Sequence, residues 1–375
     1  MAAAGEPPDD PSPGDSASRG PRFLDVSGAP PEALDPWPPV IFRAEMIQAE
    51  IDRLASLPPP ADGRRSALLA HPRSERPGLG LAPGIRVSLQ VLLPGERTAP
   101  VRHNSTHVDF CIQGEGRARI GDHKVDFSRY DAWNTPSYRT YEYENRGEAI
   151  QVRLTYSNAP LLEKLHVHIV ETGDFDDDAG PRVDDAAGEN PYGVIDIGRD
   201  GAMLMPYELL VDPPVVDSRP LHWPWAEVKA RLDALERLGA EYTGRRLYLL
   251  YNPATGRTNG TTPSLFATIT LRPPGIVDRP HRHVSAAINY FFAGSGYSRV
   301  GGRRYEWSSG DLMLTAPGWM IHHHASGDQP VYELTIQDQP LNIAMESLLW
   351  QEDLKHPPIL LGSQPGFTTN RGMTS

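Results

Sequence analysis

Cysteine, long apolar runs and positive charge are all scarce in this chain of 375 residues. The one cysteine, Cys111, excludes an intrachain disulfide framework and is typical of a reducing compartment. No stretch approaches the run of about 18 apolar residues that a membrane helix needs. The first residues also lack the basic start and apolar core of a signal peptide, so we expect a cytoplasmic protein without a membrane partner. The net charge of -12 argues against nucleic acid as a partner and favours a small-molecule ligand.

Glycine and proline are abundant, with 34 and 38 residues, which favours short strands joined by turns. In one segment Ile47, Ile51 and Leu54 recur at helical spacing, and in another Pro224 opens and Gly239 ends a helix. We predict six segments: a disordered tail (1–40), a helical N-terminal arm (41–74), an N-terminal barrel (75–165), an acidic loop with a linker helix (166–244), a C-terminal barrel (245–345) and a C-terminal tail (346–375).

The acidic loop has two interpretations. Residues 171–189 carry eight acidic side chains against one arginine, Arg182. Carboxylate oxygens can bind a metal, but a run of like charges is more often a solvated loop. We therefore predict a solvated excursion between the barrels.

A histidine-rich motif lies in the second barrel. His281 and His283 alternate along a strand, so both imidazoles leave the same face. His322 follows five residues after Pro317, beyond two glycine turns. This spacing predicts a three-histidine metal site, and the alternative is that these histidines are polar residues lining a barrel.

The two barrels repeat one design. Laying His103 on His283 places Asp131 on Asp311 without a gap, and after one inserted residue Tyr141 falls on His322. A repeat of this length predicts two similar barrels. The expected fold class is therefore all-β with a few helices, built as two double-stranded β-helix (jelly-roll) barrels.

Several motifs support a resemblance to one enzyme family. They are LQVLLPGERTAPVRHNSTHVDFCIQGEG, YNPATG, the HRH stretch and the closing DQPL. These motifs resemble those of the gentisate and salicylate 1,2-dioxygenases, bicupin enzymes that use Fe(II) and O2 to cleave a hydroxylated aromatic ring. The resemblance implies Fe(II) as cofactor, an aromatic substrate with O2, and a homo-oligomer (dimer or tetramer).

The chain departs from this family in the position of the metal ligands. The family carries its iron in the first barrel, where this chain has Val101, His103 and Tyr141. Three imidazoles from the second barrel suit Fe(II) and leave positions open for substrate and O2, so we expect the metal there. In the first barrel, His107 stands where other cupins have an additional carboxylate. His103, His107 and Tyr141 form either a residual or alternative site, or part of a barrel that only packs and dimerises.

The position of the additional carboxylate is also changed in the second barrel. Ala287 and Ile288 stand there, so the resemblance implies a site of three histidines alone. His324, two residues past His322, corresponds to a histidine that the family keeps near the metal, where it would hydrogen-bond oxygen or the substrate hydroxyl. The alternative is a rim histidine.

The substrate shell has drifted from the family pattern. Asn289 stands where the family has an arginine that holds the substrate carboxylate. Replacing that cation with an amide predicts a neutral or differently substituted hydroxyarene or hydroxy-heteroarene as substrate. Arg272 and Arg299 are the cations that would substitute from other strands. The expected substrate-binding residues are Phe266, Thr270, Arg272, Asn289, Phe291, Arg299, Trp319 and Thr335.

Two other classes of function are compatible with the same histidines. A metal-dependent cupin isomerase, decarboxylase or hydrolase would use the metal as a Lewis acid without O2. A non-catalytic bicupin would bind a ligand without turnover. Consumption of O2 distinguishes a dioxygenase from both.

Overall fold

The computed structural model describes residues 20–177, 193–197, 201–211, 213–239 and 246–367. The chain divides into two compact units, Met1–Asp35 and Pro36–Ser375. In the first unit the N–H of Ala29 donates to the carbonyl of Val26 and closes a turn. Residues 1–19 of the predicted tail lie outside the described part of the chain. Among the described residues, no helix is long and apolar enough to cross a bilayer.

Short strands dominate the first half of the second unit. Its elements are β1 (Ile41–Phe42), α1 (Ala44–Ser56), β2 (Arg65–Leu68), β3 (Arg86–Leu92), β4 (Val101–His103), β5 (His107–Gln113), β6 (Gly116–Ile120), β7 (His123–Phe127), β8 (Ala132–Thr135), β9 (Tyr141–Glu144), β10 (Gln151–Ser157), α2 (Ala159–Lys164), β11 (Val170–Thr172), β12 (Ile195–Asp196), β13 (Met203–Leu204) and α3 (Tyr207–Leu210).

The second half repeats this pattern. Its elements are β14 (His222–Trp223), α4 (Trp225–Arg237), β15 (Leu247–Leu249), a 3-10 helix (Pro253–Thr258), β16 (Phe266–Arg272), β17 (Arg282–His283), β18 (Ala286–Ala293), β19 (Ser295–Val300), β20 (Arg303–Ser308), β21 (Leu312–Pro317), β22 (His322–Ser326), β23 (Val331–Gln337), α5 (Gln339–Ala344), β24 (Leu349–Gln351) and β25 (Ile359–Leu360).

Each barrel has one large sheet and a smaller wall. The large sheets have the strand orders β14-β8-β5-β10-β3-β2 and β1-β21-β18-β23-β16-β15. The wall of the first barrel is β11-β4-β9-β6-β7, and the wall of the second consists of β20-β19-β22 and β17-β24-β25. The pairing in both barrels is antiparallel, as their hairpin-rich sequence favours. The predicted all-β bicupin architecture is confirmed.

The two barrels exchange their edge strands. β1 precedes the first barrel in the chain but pairs with β21 of the second, and β14 precedes the second barrel but pairs with β8 of the first. An aspartate holds each helix that follows. Asp311 accepts a hydrogen bond of 2.8 Å from the N–H of Ala44, and Asp131 accepts one of 2.7 Å from the N–H of Trp225. Each carboxylate thus satisfies a backbone donor at the start of a helix on the other repeat.

The two large sheets pack face to face between the barrels. Apolar side chains from both sheets, including Phe110 and Phe292 at a ring distance of 5.5 Å, form one continuous core. Because strand side chains alternate, the opposite face of each sheet lines a barrel interior. In the second barrel that interior is polar: Thr268, Thr335 and Asn289 are all buried on it. The fold therefore gives a polar interior to the second barrel, whose wall carries the predicted metal ligands.

The helices follow the apolar spacing in part. In α1 the predicted Ile47, Ile51 and Leu54 are all buried. In α4 Leu232 is fully buried, whereas Leu238 lies beyond the end of the helix and is exposed. The helix starts at Trp225, one residue after the predicted opening.

The structure differs from three predicted segment boundaries. Trp37, placed in the tail, stacks on His71 with ring centroids 4.7 Å apart. Glu171, placed in the solvated loop, lies in β11 and accepts a hydrogen bond from Arg102, while residues 178–192 of that loop lie outside the described part of the chain. β24 and β25, placed in a C-terminal tail, continue the wall of the second barrel beside β17.

Candidate metal centre

Three histidines meet on the wall of the second barrel. His281 and His322 face each other across an antiparallel bridge, in which each N–H donates to the carbonyl of the other at 3.1 and 2.9 Å. His283 follows two residues later on the same face. One ligand nitrogen from each residue lies within 4.8 Å of the others, and all three side chains are buried. The predicted triad is therefore assembled by strand alternation and one cross-strand pairing.

Backbone carbonyls fix the ring orientation of all three histidines. Nδ1 of His281 lies 3.0 Å from the carbonyl of Arg279, that of His283 lies 2.9 Å from the carbonyl of Ser285, and that of His322 lies 2.9 Å from the carbonyl of Met320. A carbonyl only accepts, so each neutral ring carries its proton on Nδ1 and keeps the lone pair on Nε2. This is the outer arrangement that metal-binding histidines use.

The donor set fits a borderline divalent metal ion. Three neutral imidazoles suit Fe(II) as well as Zn(II), and three protein ligands leave coordination positions open. Ala287 on β18, where the resemblance to other cupins would place a further carboxylate ligand, is small and buried. The residues present thus fit a resident metal ion that keeps coordination positions open.

Trp350 is a neighbour of this centre that the sequence did not reveal. Its position in β24 pairs with His283, and its indole stacks on the His283 ring with centroids 4.5 Å apart. It is also nearly parallel to the His281 ring at 6.1 Å. The indole N–H donates to Glu352 at 3.0 Å. An aromatic wall therefore covers two of the three candidate ligands.

His324 lies beside the triad rather than at the rim. It is buried, its ring centroid is 6.0 Å from that of His322, and its Nδ1 is 2.8 Å from the hydroxyl of Ser298. The alternative of a rim histidine is therefore not supported. Asn289 is also buried, and it donates from Nδ2 to Thr335 at 2.8 Å and accepts from Thr315 at 2.5 Å. Its amide is oriented by two threonines and retains one N–H for another partner.

The expected substitute cations are placed differently from the prediction. Arg272 is buried, but it donates to Glu333 at 2.9 Å and lies 3.1 Å from Asp278. Two carboxylates already compensate its charge. Arg299 is exposed on β19, since strand alternation turns its side chain away from the buried Ser298 and Val300. The prediction required a substitute cation that can bind the substrate carboxylate, and neither arginine is placed to do so.

The other expected substrate-binding residues occupy three kinds of position. Phe266, Thr270 and Thr335 are buried on the large sheet of the second barrel. Phe291 packs deeper, against Trp307 at a ring distance of 3.8 Å. Trp319 is partly exposed and lies under the guanidinium of Arg282 at 4.4 Å, a packing contact at the barrel mouth.

A hydrogen bond occupies the equivalent position in the first barrel. The hydroxyl of Tyr141 lies 2.9 Å from Nε2 of His103, whose Nδ1 lies 3.1 Å from the carbonyl and 2.8 Å from the hydroxyl of Ser105. Tyr141 therefore occupies the imidazole nitrogen that a metal would require. Burial, followed by the charge of His168, lowers the pKa of His103 to about 4. Burial also lowers the pKa of His107 and raises that of Tyr141 to about 12.

Side chains also fill the interior of the first barrel. The guanidinium of Arg153 lies 3.4 Å from the ring centre of Tyr143, and Nε of Arg153 lies 3.9 Å from Asp109. Trp133 and Phe127 stack on each other at 4.2 Å. Asp109, which the repeat aligns with Asn289, belongs to this packed network, since it accepts a hydrogen bond from the hydroxyl of Tyr143 at 3.1 Å. These features favour packing over ligand binding.

Comparisons with known proteins extend over most of the chain. The family model described as AraC-like ligand binding domain matches residues 265–369. A 5-aminosalicylate 1,2-dioxygenase of Comamonas sp is 24% identical over 327 residues, which are 84% of this chain and 81% of the relative. A 5-nitrosalicylic acid 1,2-dioxygenase of Bradyrhizobium sp is 33% identical over 141 residues, which are 36% of this chain and 68% of the relative.

A solved structure has the same fold. The salicylate 1,2-dioxygenase of Pseudaminobacter salicylatoxidans superposes with a TM-score of 0.70 at 19% identity, covering 88% of this chain and 92% of that protein. The similarity therefore spans both barrels.

Proposed function

Since the chain belongs to the gentisate/salicylate 1,2-dioxygenase-like bicupin family, we propose that it is a ring-cleaving dioxygenase that binds Fe(II) through His281, His283 and His322. The observation that carries this proposal is the orientation of the triad, in which all three Nδ1 atoms are held by backbone carbonyls. The closed hydrogen bond between Tyr141 and His103 supports placing the metal in the second barrel.

The bound iron would supply open coordination positions at which a chelating hydroxyarene and O2 meet, together with the electrons that activate O2. The residues of the chain have separate tasks. The triad would hold the metal at the wall of the second barrel, and Trp350 would keep water from the outer face of His283. His324, buried beside His322, would donate a proton to a developing oxyanion. Asn289 orients the substrate.

The substrate we propose is a neutral or differently substituted hydroxyarene or hydroxy-heteroarene. A carboxylate buried without a cation or several donors costs several kcal/mol. The charge of Arg272 is compensated by Glu333 and Asp278, and Arg299 is exposed. The remaining N–H of Asn289 suits a carbonyl or hydroxyl oxygen better than a full negative charge. Phe266 and Thr270 complete the lining in this proposal.

Location and assembly are parts of the same proposal. The free, buried Cys111 is consistent with a cytoplasmic enzyme. Met203, Leu204 and Tyr207, which lie between the two barrels in the sequence, are exposed. Their exposed apolar side chains support an interface of a homo-oligomer, a dimer or tetramer. Light scattering of the purified protein tests the assembly.

An oxygen-uptake assay tests the reaction. Protein reconstituted with Fe(II) under anaerobic conditions would be mixed with gentisate, salicylate, 1-hydroxy-2-naphthoate and their carboxamide or carboxylate-free analogues. We expect O2 uptake with a neutral analogue, a product whose mass equals that of substrate plus O2, and loss of this turnover in Asn289→Ala. Efficient cleavage of gentisate or salicylate, undiminished in Asn289→Ala, would refute the substrate proposal. Metal binding and product formation without O2 uptake would instead indicate Lewis-acid chemistry.

A further inference from the structure

A chain of three side chains crosses the wall of the second barrel and ends at His324. The indole N–H of Trp307 on β20 donates to the hydroxyl of Ser298 on β19 at 2.9 Å. That hydroxyl lies 2.8 Å from Nδ1 of His324 on β22. Ser298 faces His324 directly in the strand register, and Ser298 is fully buried.

The donors and acceptors around Ser298 determine the direction of both hydrogen bonds. An indole N–H can only donate, so the Ser298 oxygen accepts from Trp307. The hydroxyl proton of Ser298 then needs an acceptor because the residue is buried. Among the described residues, the hydroxyl of Ser298 contacts the indole of Trp307 and Nδ1 of His324. Of these two groups, Nδ1 of His324 is the one that can accept the hydroxyl proton. His324 Nδ1 therefore accepts, and the proton of the neutral ring lies on Nε2.

Packing holds these three hydrogen-bonded side chains in place. The Trp307 ring stacks on Phe291 with centroids 3.8 Å apart and planes 5° apart. Opposite Trp307 in the register lies Gly296, where an added Cβ would come within 2.5 Å of the indole and 2.1 Å of the carbonyl of Ala325. The glycine is thus required so that the tryptophan can reach Ser298, and the indole has little freedom to turn.

The first barrel provides an internal comparison. Its residues in the corresponding register are Ala118 facing Tyr143, and Phe127 facing Gly116. Alanine and phenylalanine have no polar hydrogen to pass on. The donor chain is therefore present in the barrel with the histidine triad and absent from the barrel whose interior is filled by packing.

We propose that Ser298 and Trp307 are positioning residues that hold His324 as an Nε2–H donor beside the metal centre. An Nε2 that carries a proton cannot bind a metal ion, so His324 stays out of the coordination sphere and presents a hydrogen bond to oxygen or substrate. The proposal deepens the proposed function and rests on it for the role of the donor. The tautomer itself is independent of the reaction.

Nuclear magnetic resonance on the full chain tests the tautomer. The protein would be labelled with nitrogen-15 histidine, loaded with diamagnetic Zn(II), and His324 assigned with a His324→Asn variant. We expect the Nδ1 shift of an unprotonated acceptor and the Nε2 shift of a protonated nitrogen. Trp307→Phe and Ser298→Ala should move these shifts toward a mixture of tautomers. Both variants copy residues that the first barrel carries in the same register, so we expect them to fold. A protonated Nδ1 in the wild type would overturn the proposal whatever the enzyme catalyses.

Steady-state kinetics with the iron-loaded enzyme tests the consequence. We expect Ser298→Ala to lower kcat about tenfold, equal to about 1.4 kcal/mol in the barrier, with KM and metal content within twofold of wild type. Ser298→Thr keeps the hydroxyl and should restore most of kcat. Trp223→Phe removes an indole from the large sheet of the first barrel and serves as the control without effect. Unchanged shifts and unchanged kcat in Ser298→Ala would contradict the proposed positioning.

Discussion

Trp350 offers a sharp test of how the metal centre is held. In Trp350→Ala the indole that stacks on His283 at 4.5 Å is removed, and the face toward His281 opens as well. An aromatic pair contributes about 0.5–1.5 kcal/mol beyond the area it buries. If this energy maintains the orientation of the ligand rings, its loss weakens metal binding by about tenfold, since each factor of ten corresponds to about 1.4 kcal/mol.

The same substitution also leaves a cavity, so stability and metal affinity must be measured separately. A buried tryptophan replaced by alanine costs about 3–5 kcal/mol, which urea denaturation of the metal-free protein would show. Trp350→Phe keeps a ring on His283 but removes the donor to Glu352, and we expect its metal dissociation constant to stay within about threefold of wild type. Chelator competition with Co(II) gives that constant. A folded Trp350→Ala that binds Co(II) as tightly as wild type would refute the role of the stack.

Three further predictions concern the first barrel and the strand exchange. Tyr141→Phe should leave metal content and turnover nearly unchanged, and a tenfold fall in turnover, about 1.4 kcal/mol, would reveal a working site there. The pKa of His103 is about 4 in the folded state and about 6.5 in the unfolded state. As the pH is lowered, the unfolded state therefore binds the proton first. The free energy of unfolding then falls by up to about 3 kcal/mol between pH 6.5 and 4. In urea denaturation, the free energy of unfolding of His103→Gln should fall less over this pH range than that of the wild type. Parallel pH curves for the two proteins would contradict the low pKa of His103. Asp311→Ala removes the acceptor for Ala44 and should lower the free energy of unfolding by about 3 kcal/mol; a loss below about 1 kcal/mol would show that water replaces it.

Local patterns in the sequence predicted the fold class and the three histidines well. Two histidines at alternate positions must share a face of a strand, and the glycine turns that follow bring a later strand back beside them. The repeat between the halves added the pairing of His103 with His283. These inferences need only alternation and turn chemistry, which are properties of short segments.

Contacts between distant segments were not predictable in the same way. β1 and β24 are two and three residues long, too short to show alternation, so neither the strand exchange nor Trp350 beside His283 had a local signal. The carboxylates that compensate Arg272 come from β23 and a loop, and only the folded register joins them. The hydrogen-bonded series from Trp307 to His324 likewise depends on two cross-strand pairings.

The location of the metal is tested most directly by one matched pair of variants. His283 and His103 occupy equivalent positions in the two barrels, and each rests its Nδ1 on the carbonyl of a serine two residues later. Iron content would be measured for the wild type, His283→Ala and His103→Ala after identical anaerobic loading. We predict about one iron per chain in the wild type and in His103→Ala, and none retained by His283→Ala. Full iron in His283→Ala with loss in His103→Ala would contradict the account.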